Sequence, residues 1–302
     1  MRPGLVQELE KRGYAGRIVP VGRLGELRES FERTCREGQI DPKLRELYLG
    51  RFDFAPPPGL PDARSVVIAT VRQPAYRFAF SWKGRQHCAL VPPTYLHARE
   101  TNQRIRDEIA ETLWPGHRVV PAVLPLKLLA ACSGLAAYGR NNVTYVPGMG
   151  SYHRPAAFFT DMPCPPNSEW HEPRALERCE GCDLCRRACP AGAISDDRFL
   201  LRAERCITFH NEMPGDVPFP AWIDESWHNC LVGCLRCQRA CPENKNLLRL
   251  EDGPAFSEEE TAQLLEGAPP ERLPAALAAK LKEADLLPMT GEIARNLRPL
   301  LR

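Results

Sequence analysis

Two cysteine runs constrain this chain more than any other feature. The first reads Cys179-x-x-Cys182-x-x-Cys185-x-x-x-Cys189-Pro190. The second ends Cys234-x-x-Cys237-x-x-x-Cys241-Pro242, with Cys206 isolated upstream. The spacing C-x-x-C-x-x-C-x-x-x-C-P holds iron–sulfur clusters in bacterial ferredoxins, and thiolates are soft ligands suited to them. Three closely spaced thiolates wrap one face of a cube, and a distant fourth closes the site. The proline ends the local helix and turns the chain away. In two-cluster ferredoxins the fourth cysteine of a run binds the other cluster. The expected quartets are therefore Cys179, Cys182, Cys185 and Cys241 for one [4Fe–4S] cluster, and Cys189, Cys206, Cys234 and Cys237 for the other. Cys230, four residues before Cys234, competes with Cys206 for the second quartet.

Other uses of these cysteines fit less well. Zinc sites pair C-x-x-C motifs across a longer loop, and a C-x-x-C-x-x-C run followed by C-P departs from that pattern. A disulfide framework suits short secreted chains, whereas this one has 302 residues. Its opening, Met1-Arg2-Pro3-Gly4, has no apolar stretch after it and does not read as a signal peptide. Thirteen cysteines then point to a reducing, cytoplasmic setting and to metal binding. The remaining Cys35, Cys88, Cys132 and Cys164 are expected to be small buried hydrophobes. A net charge of +2 gives no electrostatic argument for nucleic acid or a membrane surface, and no apolar run has the length to span a bilayer. The 30 prolines imply many fixed turns.

The pattern of elements predicts an α+β chain in three segments: an α/β domain over 1–165, a two-cluster ferredoxin-like domain over 166–250, and a short helical tail over 251–302. In the first segment, helices are expected at Leu5–Gly13, Gly25–Arg36, His97–Trp114 and Pro125–Ser133, the last capped by Gly134. Strands are expected at Gly16–Val21, Ser65–Arg72, Val143–Val146 and Ala156–Phe159, with a hairpin of Tyr76–Trp82 and Gln86–Val91. In the tail, Ser257 before Glu258, Glu259 and Glu260 is a helix N-cap. Further helices are expected at Leu273–Ala284 and Thr290–Leu301. Glycine-rich phosphate loops are absent from the sequence, so nucleotide use has no support.

The block Ser133-Gly134-Leu135-Ala136-Ala137-Tyr138-Gly139-Arg140-Asn141-Asn142 precedes Gly150-Ser151-Tyr152, Phe158-Phe159-Thr160-Asp161, the first cysteine run, Arg205-Cys206-Ile207-Thr208 and the second run. In this order the chain resembles epoxyqueuosine reductase, a cobalamin-dependent iron–sulfur enzyme of tRNA modification, and more distantly the reductive dehalogenases. The resemblance is clear over about 120–250. It implies a nitroreductase-like, corrinoid-binding α/β domain followed by the two-cluster domain. It also implies a cobalamin wall of Tyr138, Gly139, Arg140, Asn141, Gly150, Ser151 and Tyr152, and it favours Cys206 over Cys230 as ligand.

Two departures bear on activity. The family places an acidic proton donor shortly before the Gly-Leu pair, but Val119-Val120-Pro121-Ala122-Val123-Leu124-Pro125 holds no carboxylate. A general acid must reach its acceptor directly or through one water. The C-terminal region is also shorter than in the family, so nucleic acid is not expected as a partner. Tyr138, Tyr152 and His153 are the candidate proton donors. The resulting expectation is a cobalamin-dependent reductase of a small molecule, fed by an external low-potential electron donor. The alternative is a ferredoxin-like protein that feeds or reductively activates another protein's corrinoid.

Overall fold

The computed structural model describes residues 5–113 and 115–302. They fall into two units, one of residues up to 72, 99–183 and 194–202, the other of 73–98, 184–193 and 203–302.

The first unit is built on a four-stranded antiparallel sheet with strand order β1-β2-β8-β5. Its strands are β1 (Tyr14–Pro20), β2 (Ser65–Arg72), β5 (Val119–Pro121) and β8 (His153–Thr160). Successive side chains on a strand point to opposite faces, so the unbroken apolar run of β2 requires cover on both sides. Val66 and Ile68 join Leu24, Leu27, Leu129 and Phe159 in one core cluster. Val67 and Ala69 join Leu9, Ile105, Ile109 and Phe158 in another. Helices Leu24–Arg36 and Leu126–Cys132 thus cover one face, and Leu5–Lys11 with the helix beginning at Ala98 the other. Burying each large aliphatic side chain here contributes about 1.5–3 kcal/mol. Helix Leu126–Cys132 stops where Gly134 turns left-handed at φ 71°, as expected for a C-terminal glycine. A two-stranded hairpin, β6 (Ala137–Tyr138) with β7 (Thr144–Tyr145), follows it.

The second unit has a three-stranded sheet with strand order β4-β3-β9. The hairpin β3 (Ala75–Trp82) and β4 (Arg85–Val91) turns through Lys83 and Gly84, both at positive φ. β9 (Leu250–Phe256) pairs in parallel with β3. Gly253 is required there, because a Cβ would lie 2.2 Å from the Phe78 ring. Phe80 and Phe256 stack at 4.9 Å between ring centroids. Helices Glu258–Glu266, Ala275–Glu283 and Thr290–Leu300 close this core through Leu264, Leu277, Leu281, Ile293 and Leu297. Ser257 and Glu260 form a full capping box at the first of them.

Packing does not follow the sequential division into 1–165, 166–250 and 251–302. The parallel pairing of β3 with β9 draws the hairpin out of the N-terminal segment and into one core with the tail. β9 was not expected, since Glu251-Asp252-Gly253-Pro254 reads as a turn and most of its side chains are exposed or half-buried. β5 was not expected either, because Pro121 and Pro125 interrupt its run. The expected helix end at Trp114 lies outside the described residues.

Helix Thr290–Leu300 is fastened to the 210–217 loop. Arg295 donates to the carbonyls of His210, Asn211, Pro214 and Val217, and Asn296 Nδ2 donates to those of Asn211 and Leu231. Gly215 lies against the backbone of Gly291, and a Cβ at 215 would fall 2.1 Å from the Gly291 carbonyl carbon. Because backbone blocks the space, Gly215→Ala must shift the helix. It should cost about 1–3 kcal/mol, the usual range for overpacking, read as a lower urea midpoint. An unchanged midpoint would show that this contact is slack.

Candidate iron–sulfur centre and the turn beside it

In the second unit, Cys185 lies in the single turn Leu184–Arg187, and Cys189 and Pro190 follow it. Cys237 lies in the turn Arg236–Arg239, and Cys241 precedes the turn Pro242–Asn244. Cys206 stands at the N-cap of the helix Ile207–Asn211 in extended backbone conformation. Arg205 Nε donates to the Ala191 carbonyl at 2.8 Å, and Asn211 Nδ2 to the Gly233 carbonyl at 2.8 Å. The Cys206 helix is therefore tied to the turn after Cys189 on one side and to the residue before Cys234 on the other.

The electrostatics reflect this gathering. Burial pushes the Cys237 thiol well up, and the neighbouring sulfurs of Cys206, Cys234, Cys189 and Cys185 push it further. Cys234 is pushed up to about 11, first by burial and then, against the Arg236 N–H, by Cys206 and Cys189. Cys206 is raised by burial, with Cys189 adding to it. Cys230 behaves differently. Its backbone bridges to Leu90, and Leu231 N–H donates to the Leu90 carbonyl at 2.7 Å. Burial raises its thiol, and the Cys234 sulfur adds to it. Cys230 is thus built into the sheet edge, whereas Cys206 stands among the other three. The Tyr95 hydroxyl, which the sequence did not single out, donates to Glu212 Oε1 and lies where a Cβ on Gly233 would be, 2.7 Å away. No motif in the Pro92-Pro93-Thr94-Tyr95 stretch signals this role.

In the first unit, the turn Glu177–Cys179 leads to Cys182, whose N–H donates to the Cys179 carbonyl at 3.3 Å. Beside it lies the turn joining β6 to β7. The Arg140 N–H donates to Cys179 Sγ at 3.4 Å, and Arg140 Nη2 to the Cys179 carbonyl at 3.0 Å. Arg140 Nη1 bonds Asp196 at 2.6 Å, and its Nε is buried without a hydrogen-bond partner. Asn141 Nδ2 donates to the Tyr145 hydroxyl at 3.0 Å. A Cβ on Gly139 would strike the Tyr145 ring at 2.5 Å. Gly139, Arg140 and Asn141, expected as a cobalamin wall, are thus engaged within this unit.

The other expected wall residues are close by in sequence and buried. Gly150 turns at φ 61°, Ser151 is buried, and Tyr152 is 1 % exposed. Tyr138 is buried with its ring edge-on to Phe199, and burial, then Cys132, raises its phenol so that it stays protonated. His153 opens β8. Its Nδ1 accepts from the Thr70 hydroxyl at 2.7 Å, and its Nε2 donates to the Thr144 carbonyl at 3.0 Å. His228 packs on the Phe219 ring at 4.5 Å with its Nδ1 buried and unpartnered; burial, then Arg295, lowers it to about 4. Cys132 is buried, Cys35 and Cys164 are half-buried, and Cys88, expected inside, is exposed on β4. Beside the carboxylate-free stretch, the Asp53 N–H donates to the Val123 carbonyl at 2.9 Å. This backbone bond joins two distant parts of the chain, which the sequence did not signal. The Asp53 carboxylate is exposed and accepts from Ala55 N–H. Asp161 is committed to His117 and Arg118; burial works to raise it, and those bonds outweigh burial and hold it low.

A mixed α/β fold with two cysteine runs defines the class, and comparison with known proteins places it. Residues 178–244 match the 4Fe–4S double cluster binding domain. The chain is similar to epoxyqueuosine reductases. It is 27% identical to that of Alicycliphilus denitrificans over 248 residues, which is 80% of this chain and 63% of the relative. It is 32% identical to that of Bacillus subtilis over 121 residues, 39% of this chain and 29% of the relative. The matched regions thus cover less than two thirds of either relative. The chain shares the fold of the Streptococcus thermophilus enzyme (TM-score 0.61, 17% identity, 97% of this chain and 80% of that one). It also shares the fold of a B. subtilis structure described with its catalytic aspartate loop swung out of the active site (TM-score 0.62, 19% identity, 98% and 80%). A further structure of this fold holds a tRNA-Tyr epoxyqueuosine-modified stem loop (TM-score 0.60, 19% identity). The expectation against nucleic acid therefore does not stand as an exclusion. Among the described residues, no helix is long and apolar enough to cross a membrane.

Two outcomes are expected. Cys206→Ala should lose about half the iron of the wild type, following the quartet count, while Cys230→Ala keeps all of it; the reverse pattern would exchange their roles. Burial lowers the folded-state pKa of His153 below its ordinary 6.5, against the raising effect of its bond to Thr144. The unfolded chain then binds the proton first as pH falls. The stability His153 contributes should be full above about pH 6.5 and lost below it. In His153→Gln this part of the acid-side decline should disappear from urea midpoints measured between about pH 7 and 5; an unaltered pH profile would contradict a buried neutral imidazole.

Proposed function

We propose that this protein is an iron–sulfur reductase in which two [4Fe–4S] clusters pass electrons singly from an external low-potential donor to a bound corrinoid. The observation that carries the electron-transfer part is the gathering of Cys189, Cys206, Cys234 and Cys237 in one unit, inside a segment matching the double cluster binding domain. Their chemistry fits the group, since soft, buried thiols give up their protons to a metal that takes the thiolate. The corrinoid part rests on the resemblance to epoxyqueuosine reductases. By that resemblance Tyr138, Gly139, Arg140, Asn141, Gly150, Ser151 and Tyr152 would line a corrin, and Arg140 and Asn141 also hold bonds within their own unit. A corrinoid would supply a low-valent cobalt nucleophile, and this chain would supply orientation and protons.

The alternative is a ferredoxin-like protein that delivers electrons to another protein's cofactor. What favours it is the absence of a carboxylate from 119–125. Among the three expected proton donors, Tyr138 is held protonated and His153 has both nitrogens engaged.

Anaerobic assay of iron and sulfide, with visible spectra before and after cobalamin is added, separates the two. About eight irons per chain, by the two-quartet count, with a shifted corrin band support the reductase. The same iron with no corrin response leaves an electron-transfer protein.

A further inference from the structure

We propose that the turn Gly139–Asn142 is a clamp on the Cys179 ligand turn, in which Arg140 positions Cys179 and sets the reduction potential of the cluster it binds. The proposal rests on the double-cluster reading of 178–244.

The clamp begins in the β6 backbone. Tyr138 N–H donates to the Arg174 carbonyl at 2.9 Å, and Leu176 N–H returns a bond to the Tyr138 carbonyl at 2.8 Å. The segment leading to Cys179 is thereby held to the hairpin by a parallel bridge between Tyr138 and Ala175. One residue later the chain turns, and Arg140 meets Cys179 twice, by its peptide N–H at the sulfur and by Nη2 at the carbonyl. The far side of the turn grips the loop after the cysteine run. Arg140 Nη1 takes Asp196, Asn142 Nδ2 donates to the Phe199 carbonyl at 2.9 Å, and Asn142 Oδ1 accepts from Leu201 N–H. Both stretches that flank the run are therefore fixed by one four-residue turn.

The residue types at the turn follow from this task. Gly139 faces the Tyr145 ring and has no room for a side chain. Asn142 is left-handed at φ 55°, a conformation asparagine tolerates better than most residues. Arginine supplies donors in a fixed fork able to serve two acceptors, and a shorter or single-headed cation cannot serve both. A surface arginine would be a solvated charge, but this side chain is 28% exposed and its Nε is buried without a partner. That leftover donor suits an anionic acceptor beside Cys179, and a thiolate-bound cluster is anionic.

The physical consequence is a shift in potential. Hydrogen bonds to cluster sulfurs and nearby fixed charge are among the determinants of cluster potential. Reduction adds negative charge, and a half-buried guanidinium next to the ligand stabilises the more negative state. Arg140 therefore raises the potential of the cluster bound by Cys179 and leaves that of the Cys189 quartet nearly unchanged.

The test is a redox titration followed by EPR, with an iron count, on wild type, Arg140→Gln and Arg140→Lys. In Arg140→Gln one cluster should become at least tenfold harder to reduce, a shift of about 59 mV for a one-electron couple, with the other unmoved and the iron retained. Arg140→Lys keeps the charge without the fork and should shift the same cluster less. If Arg140→Gln loses iron, Arg140→Lys decides: a shift confined to one cluster supports the clamp, and unchanged potentials overturn it. Unchanged potentials in an iron-replete Arg140→Gln protein overturn the role outright. So does loss of a cobalamin response at unchanged potentials, which would return Arg140 to a cofactor wall. Wild-type protein that takes up no iron sinks the cluster reading itself, before any variant is compared.

Discussion

A thiolate buried away from water is costly unless a metal takes its charge, and the arrangement of the second unit depends on this. Cys206, Cys234 and Cys237 are each raised by burial and by one another or by Cys189. Without metal they remain neutral thiols, and crowding them offers no stability of its own. The surrounding structure holds them together by other means. Arg205 and Asn211 fasten the Cys206 helix to both cysteine runs, and Arg295 and Asn296 fasten the following loop to the last helix. That helix is in turn seated in the core shared by β3, β4 and β9. The ligand geometry is thus set by hydrogen bonds to backbone carbonyls and by an apolar core.

The first unit solves a related problem by a different route. Its four-stranded sheet is packed on both faces, and helix Leu126–Cys132 ends at Gly134 directly before the β6–β7 hairpin. The rigid core therefore delivers a short hairpin whose turn grips Cys179. Arg140 and Asn141, which the resemblance places in a cofactor wall, bond Asp196, Cys179 and Tyr145 inside the unit.

Much of this was legible in the sequence, for physical reasons that differ by element. The cysteine runs report their own chemistry through spacing. β2 was read to the residue because a doubly covered strand shows a continuous apolar run, here 66–69, and the Ser257 cap and Gly134 stop carry local signals. β9 was missed because Gly253 and Pro254 are there for the fit against Phe78 and for an exposed strand, and both imitate a turn. The non-local partners were also invisible. Nothing in the sequence places Tyr95 against Gly233, Asp53 against Val123, or Arg140 against Cys179, since each contact joins distant segments. Both ring nitrogens of His153 are engaged because Thr70 and Thr144 flank it, and Thr70 is 83 residues away in the chain.

The central claim is that one chain holds two [4Fe–4S] clusters. EPR spin quantitation of the fully reduced, reconstituted protein tests it most directly. Two clusters predict about two spins per chain, by the two-quartet ligand count. A single spin per chain would contradict it.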